Sequence, residues 1–298
     1  MAACLVPAFG QVKFEKQADR IVVEIDRQPF TTFYWGGDAP KPYLHPLRSA
    51  SGKIITRGFP MEQIPGESRD HPHHRGLWFT HGEVSGANFW MNEKGYKPEE
   101  SGHIIPKGEP SSKGNSIHAR FEWQHPDGKP LLTEDRIMTF SGQGNLRMID
   151  FDVTFTAIDT VKWGDTKEGF FAIRLADKLT EKSGTGRMVN AEGASGMKNV
   201  WGKPSAWVDY SGDLDGEKVG VAIFDHPGNF RHPTYWHARD YGLFAANPFG
   251  EHDFFNDKTR DGSLTLKPQQ ALRLRYRVVI HSGTFAAADF YREYAGKR

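Results

Sequence analysis

The chain has 298 residues, enough for one large β domain or two small ones, since all-β units often run past about 200 residues. Its 38 Lys and Arg against 37 Asp and Glu leave a formal charge of +1, which excludes broad electrostatic attraction to a phosphate backbone or an anionic membrane. A single cysteine, Cys4, excludes an internal disulfide framework and a paired-cysteine metal site, and no run approaches the roughly 18 consecutive apolar residues of a membrane-spanning helix.

Residues 1–11 are small and apolar, the texture of the end of a secretory signal that lacks its basic start. On that reading the protein is periplasmic or secreted; on the alternative, an ordinary chain terminus, it is cytoplasmic. From residue 12 to 298 no low-complexity linker, charge block or composition shift marks a boundary, so this stretch reads as one domain. Val12 to Glu15, Ile21 to Ile25 and Phe30 to Trp35 are short runs of β-branched and aromatic residues broken by polar turns. The same texture recurs at Ser116 to Gln124, Arg136 to Phe140, Leu146 to Ala157, Gly169 to Leu175, Lys218 to Phe224 and Ala271 to Ser282, with Asp-Gly and Gly-Gln-Gly-Asn turn signals beside them. Phe151, Val153 and Phe155 alternate with Asp152, Thr154 and Thr156, the period of a sheet with one face buried; Leu272, Leu274, Tyr276, Val278 and Ile280 do the same, which predicts that both segments line one core. A terminal helix is predicted from Thr284, as cap, to Tyr294, ended by Gly296. Roughly twenty strands require closure, and their number favours an all-β fold built as a large antiparallel sandwich with a short C-terminal helix.

The chemistry concentrates in three places. Arg69 to Glu83 carries His71, His73, His74 and His81 within eleven residues, with Asp70 to Gly76 predicted as a loop and Leu77 to Thr80 as the start of a strand. Asp225 to Asp240 carries three further histidines, Arg231, Arg239 and Trp236, and leads into Tyr241-Gly-Leu and on to Asn247-Pro-Phe-Gly-Glu-His252. Trp163 to Arg174 sets Glu168 at a strand entry and Arg174 six residues later, on the same face of an extended chain. If these segments meet, acid, base and anion-stabilising groups converge on one cleft.

Three chemistries compete for these residues. A His beside a Glu can move protons on and off a sugar oxygen, and Trp78, Trp90, Trp207 and Trp236 offer flat faces for a pyranose while Asn and Arg bind its hydroxyls. Alternatively His71, His73, His74 and His81 with a carboxylate hold a transition metal, making a metal-dependent oxidoreductase or hydrolase. The third reading is a non-catalytic carbohydrate-binding protein. The bland assignment is also clear: His45, His103, His118, His125 and His281 as surface or hydrogen-bonded core groups, Trp123, Trp163 and Trp201 as interior filling, Asp70 and Asp225 as turn caps, and Arg75 as an ion-pair partner. Nucleophile elbows, P-loops and dinucleotide fingerprints are absent.

Five motifs in order, His71-Pro-His-His-Arg-Gly-Leu-Trp78, Glu168-Gly-Phe-Phe-x-Ile-Arg174, Trp207-x-Asp-Tyr-Ser-Gly212, Asp225-His-Pro-x-Asn229 and Tyr241-Gly-Leu-x-Ala-x-Asn-Pro-Phe-Gly250, resemble the bacterial family of unknown function often labelled "methane oxygenase PmoA", from about residue 20 to the C-terminus. That label implies a membrane-embedded monooxygenase component, for which this chain has no span. At the level of fold, His73-His-Arg-Gly followed by Trp90, and Leu266-Lys-Pro-Gln-Gln before the closing strand, resemble the galactose-mutarotase-like supersandwich. That resemblance implies a general base near Glu251, while the position of its acid histidine falls near Glu168.

The resulting expectation is a carbohydrate-active hydrolase, lyase or epimerase without a cofactor, acting on a small-molecule sugar and not on nucleic acid. His73, His74 or His237 serves as proton donor and Glu168 or Glu251 as base. Substrate contacts are expected from His71, Arg75, Trp78, His81, Arg174, Asn229, Arg231, Trp236, Arg239 and Asn247.

Overall fold

Two antiparallel sheets pack face to face in the computed structural model, which describes residues 10–296. The expected signal remnant falls almost wholly outside the described residues. The first sheet has eight strands, in spatial order Val12–Lys16, Arg20–Ile25, Gln28–Tyr34, Tyr43–Leu44, Leu77–His81, Gly169–Arg174, Leu243–Asn247 and Tyr235–Ala238. The second has nine, its central members being Glu217–Asp225, Ala271–Ser282, Leu146–Ala157, Pro130–Gln143 and Ser116–Gln124. A two-stranded ribbon joins Val161–Trp163 to Leu264–Leu266. Among the described residues no helix is long and apolar enough to cross a membrane.

The alternation in sequence is cashed out in register. Phe151, Val153 and Phe155 stand directly opposite Tyr276, Leu274 and Leu272, so the two patterned strands are neighbours with their apolar residues on one face. From the other sheet Phe79 and Phe171, stacked 4.3 Å apart, meet Phe151 and Tyr276; the Phe171 ring lies 4.8 Å from the first and 4.9 Å from the second. Trp123 and Trp163 fill the same interior, as expected. The terminal helix, Ala287–Ala295, starts later than predicted: Ala286 precedes it with no side-chain cap, and Thr284 does not serve. It covers the outer face of the second sheet through Ala287 and Tyr294, against Leu146, Met148, Phe224 and Val279.

One strand is longer than its sequence signal. Pro130–Gln143 turns Leu132, Glu134, Arg136, Met138 and Phe140 inward, so two charges occupy core positions and break the apolar period. Both are buried. Glu134 accepts from Trp123 Nε1 at 2.8 Å and from Arg136 Nε at 2.6 Å, while the Arg136 guanidinium lies over the Phe79 and Phe121 rings. A buried pair stabilises little in itself, but breaking it strands a charge. Glu134→Ala should therefore cost about 3–5 kcal/mol in urea unfolding, and a Glu134→Leu/Arg136→Met double variant should recover most of that loss. Equal losses in the single and double variants would refute the pairing argument.

Candidate active site on the outer face of the first sheet

A row of directly opposed residues crosses the first sheet on its outer side: Tyr34, Tyr43, Trp78, Ala172, Ala245 and His237. The two alanines in the middle leave a trough between aromatic walls. Trp90 fills it from the loop after the strand Leu77–His81, packing 5.3 Å from Trp78, 5.7 Å from His74 and 6.2 Å from His237. This cover explains why Leu77–His81, Gly169–Arg174 and Leu243–Asn247 are buried at every residue, whereas Ser116–Gln124 and most of Leu146–Ala157 in the second sheet alternate.

The first histidine loop folds over this trough. Gly76 ends it with a φ of +54°, and a Cβ there would lie 2.2 Å from the Leu44 carbonyl, so only glycine admits the turn into the strand. His73 and His74 are buried beneath the loop with rings 4.4 Å apart, and His71 stacks on His74 at 4.8 Å and on Tyr241 at 5.2 Å. His71 also has a left-handed backbone, φ +45°, a strained conformation for a residue with a side chain.

Asp70 ties the loop down. Its carboxylate takes Arg57 Nη1, Arg174 Nη2 at 2.7 Å and His71 Nδ1 at 3.0 Å. Partial burial works to raise the Asp70 pKa, but the Arg174, His71 and Arg57 charges prevail and hold it below the usual carboxylate range. Arg57 and Arg174 are themselves buried. Arg174 also donates to His74 Nδ1 at 3.2 Å, which puts the His74 proton on Nε2, and lies 4.5 Å over the Tyr241 ring. The field around the Tyr241 hydroxyl comes from Arg239, Arg174, Glu168 and Asp70, and burial keeps that hydroxyl protonated by raising its pKa. His237 carries Arg239 Nε at 3.2 Å and lies close enough to Lys167 and His71 to feel both charges.

The three sequence segments therefore meet on one face. His71, His73, His74, Trp78, Arg174, His237, Arg239 and Glu168 share it, with Asp70, His71, Lys167 and Glu168 at its accessible rim. Arg75 sits beside it, clamped by Glu93 through two bonds of 2.8 and 2.7 Å with its guanidinium over Tyr43.

Other expected contacts do not reach this face. His81 points inward, wholly buried among Trp163, Phe170 and Phe249, with Nε2 2.8 Å from the Gly164 carbonyl. Trp236 is likewise interior and donates to Ser205 O. Asn229 is consumed by Asp225 and both backbone groups of Arg275, and Arg231 by the carbonyls of Pro248, Gly262 and Ser263. Asn247 donates to the carbonyls of Thr166 and Lys167, so it shapes the loop that presents Glu168. Trp207 packs toward the terminal helix. Glu251 pairs with Arg260 at 3.6 Å near Tyr235.

With His81 on the opposite side of its strand, the four-histidine metal set is not assembled, and no cluster of three or more His, Cys, Asp or Glu among the described residues could hold a metal ion. Burial also acts on the three histidines expected as proton donors. Burial, reinforced by Lys41, pushes His73 down to about 2; burial with Arg239 takes His237 to about 3; and His74 is held well below its ordinary value. All three are neutral at neutral pH and cannot deliver a proton as imidazolium.

Several members of the cluster carried no sequence signal. Lys41, fully buried, donates to the carbonyls of Trp90 and His73 at 2.7 and 3.3 Å and is lowered to about 7 by burial. It lies in a plain Ala-Pro-Lys-Pro stretch. Arg57 was equally unmarked. Trp201, assigned to the interior, instead stands at the rim, 5.0 Å from His237, with Arg239 stacked 3.9 Å above it. Tyr241 stood within a recognised motif without an assigned role.

A family model for residues 20–295 matches the chain. The protein belongs to the DUF6807 family, a family of unknown function. That description contains no oxygenase, so the methane-oxygenase label is not supported. None of the curated proteins compared with the sequence matches it. Among solved structures, a polysaccharide lyase is similar at 13% identity and a TM-score of 0.39, over 98% of this chain and 35% of its own. A galactose mutarotase related enzyme from Lactobacillus acidophilus is similar at 10% identity and TM-score 0.34, over 92% of this chain and 98% of its own. An α-galactosidase of Geobacillus stearothermophilus in complex with raffinose is similar at 7% identity and TM-score 0.36, over 92% of this chain and 40% of its own. This chain thus spans less than half of the lyase and the galactosidase, and likenesses this remote carry nothing about its chemistry.

The buried histidines make stability depend on pH in a definite direction. His45 and His81 are lowered to about 4, His237 to about 3 and His73 to about 2, each chiefly by burial, from an ordinary 6.5. Below pH 6.5 the unfolded chain takes up protons that the folded chain refuses, so their stabilising contribution is complete above that pH and falls as pH drops toward the folded values. Each contributes up to about 1.4 kcal/mol per pH unit in that window. Urea titrations between pH 7.5 and 4.5 should show this loss, and His81→Asn should reduce the slope by about one proton; an unchanged slope would contradict the burial assignment.

Proposed function

We propose that this protein is a carbohydrate-active enzyme whose site is the rim of the Trp90-filled trough, with His71 and Glu168 as its proton-transfer groups. The observation that carries this reading is the Asp70–His71 pair. Asp70, fixed by two buried arginines, stands 3.0 Å from Nδ1 of His71, the most accessible histidine of the cluster, whose ring is thereby offered to a substrate beside a carboxylate. Glu168, on the neighbouring strand entry, contributes to the same field at the Tyr241 hydroxyl. Three kinds of group thus stand together: an oriented imidazole, a carboxylate at the rim, and a hydroxyl kept protonated by burial.

General acid–base catalysis needs such groups in reach of one ligand, on a scaffold that does not reorganise. The aromatic ring of Trp201 and the guanidinium of Arg239 supply surfaces suited to a sugar ring and its hydroxyls. The deeper histidines then act as a neutral floor that packs and orients. Arg174 is a positioning residue, acting through Asp70.

Purified protein incubated with a panel of mono-, di- and oligosaccharides and followed by NMR tests this. Turnover of one member is expected, with His71→Ala and Glu168→Gln each lowering the rate by about 10²–10⁴ while ligand-induced shifts persist. Binding without turnover of any member would make the protein a carbohydrate-binding module; turnover untouched by both variants would remove the proton-transfer assignment.

A further inference from the structure

We propose that the sugar recognised at this site is an acidic one, and that Arg239 reads its anionic group. This rests on the carbohydrate reading above and adds the charge of the ligand. The cations at the site do not have equal partners. Arg57 and Arg174 converge on Asp70; behind them Glu67 is held by the Gly58 and Phe59 amides and Asp177 by Ser68. Lys167 is shared between Glu168 at 3.5 Å and Asp253 at 3.9 Å. Arg75 and Lys41 have Glu93. Among the described residues, Arg239 alone in this group has no carboxylate partner.

Its placement suits an anion. The guanidinium lies over the Trp201 ring at 3.9 Å, and Nε is committed to His237 Nε2, which fixes the plane of the fork. Among the described residues the Nη donors have no protein acceptor, and they are not sealed from solvent. A planar, oriented fork with a free edge is the geometry that binds a carboxylate or sulfate through paired N–H bonds. His237 cannot compete for the anion as a cation, because burial and Arg239 keep it neutral.

The test is calorimetric titration of the wild-type protein with galacturonate, galactose 6-sulfate and galactose, each also as a short oligomer, at two salt concentrations. At least one acidic sugar is expected to bind ten-fold or more tighter than its neutral counterpart, with the preference shrinking at high salt. Arg239→Gln should collapse the ratio of acidic to neutral affinity to near one, and Arg239→Lys, which keeps the charge but loses the fork, should recover only part of it. Preference for galacturonate or for the sulfate identifies which anion is read. Equal affinity for acidic and neutral sugars, or a ratio that survives Arg239→Gln, overturns the acidic-sugar assignment while leaving the sugar site in place. Failure of every sugar to bind overturns both.

Discussion

Gly169–Arg174 is hydrogen-bonded on both edges and buried on both faces, and that single constraint organises the rest of the molecule. A strand of that kind needs cover from two directions. On the inner side the cover is the aromatic core shared with the second sheet. On the outer side no sheet is available, so loops must supply it, and loops bring polar backbone and charged side chains with them. Trp90, the first histidine loop and Tyr241 are that cover. The site is thus a consequence of finishing the sheet.

Covering a sheet with polar groups carries a cost that the structure meets locally. Each buried charge in the cover has a partner: Asp70 for Arg57 and Arg174, Glu93 for Arg75 and Lys41. Each buried imidazole avoids the cost by staying neutral. The same economy operates inside the sandwich, where Glu134 and Arg136 satisfy each other between aromatic rings. What remains open to chemistry lies at the rim, where exposure relaxes these requirements. There Asp70 and His71 stay accessible, Glu168 pairs with Lys167, and Arg239 rests on the Trp201 indole. This division leaves His73, His74 and His237 as a neutral packed floor beneath a charged rim, where His71 stacks on His74.

Much of the architecture was legible because sheets write a period into sequence. Ser116–Gln124, Leu146–Ala157 and Ala271–Ser282 are found with the bounds their alternation predicts. The signal fails where one side of a strand is not simply apolar: Glu134 and Arg136 point inward and hid the first half of Pro130–Gln143. It also fails where local preference is weak, as at the terminal helix, whose start is set by packing on the second sheet and not by Thr284.

The sequence by itself determined that the chain is an antiparallel all-β sandwich, that its histidines concentrate on loops, and that Glu168 and Arg174 lie on one face of a single extended segment. These are local facts of period, turn chemistry and composition, available without knowing what any residue touches. Tertiary structure alone decided which histidines remain at the surface, that His81 and Trp236 turn into the core, that Trp201 comes to the rim, and that Arg57 and Lys41 take part at all. The physical reason is that burial and partnership set the charge state and reach of a side chain, and both depend on segments brought together from far apart in the chain, as when Arg174 meets His74.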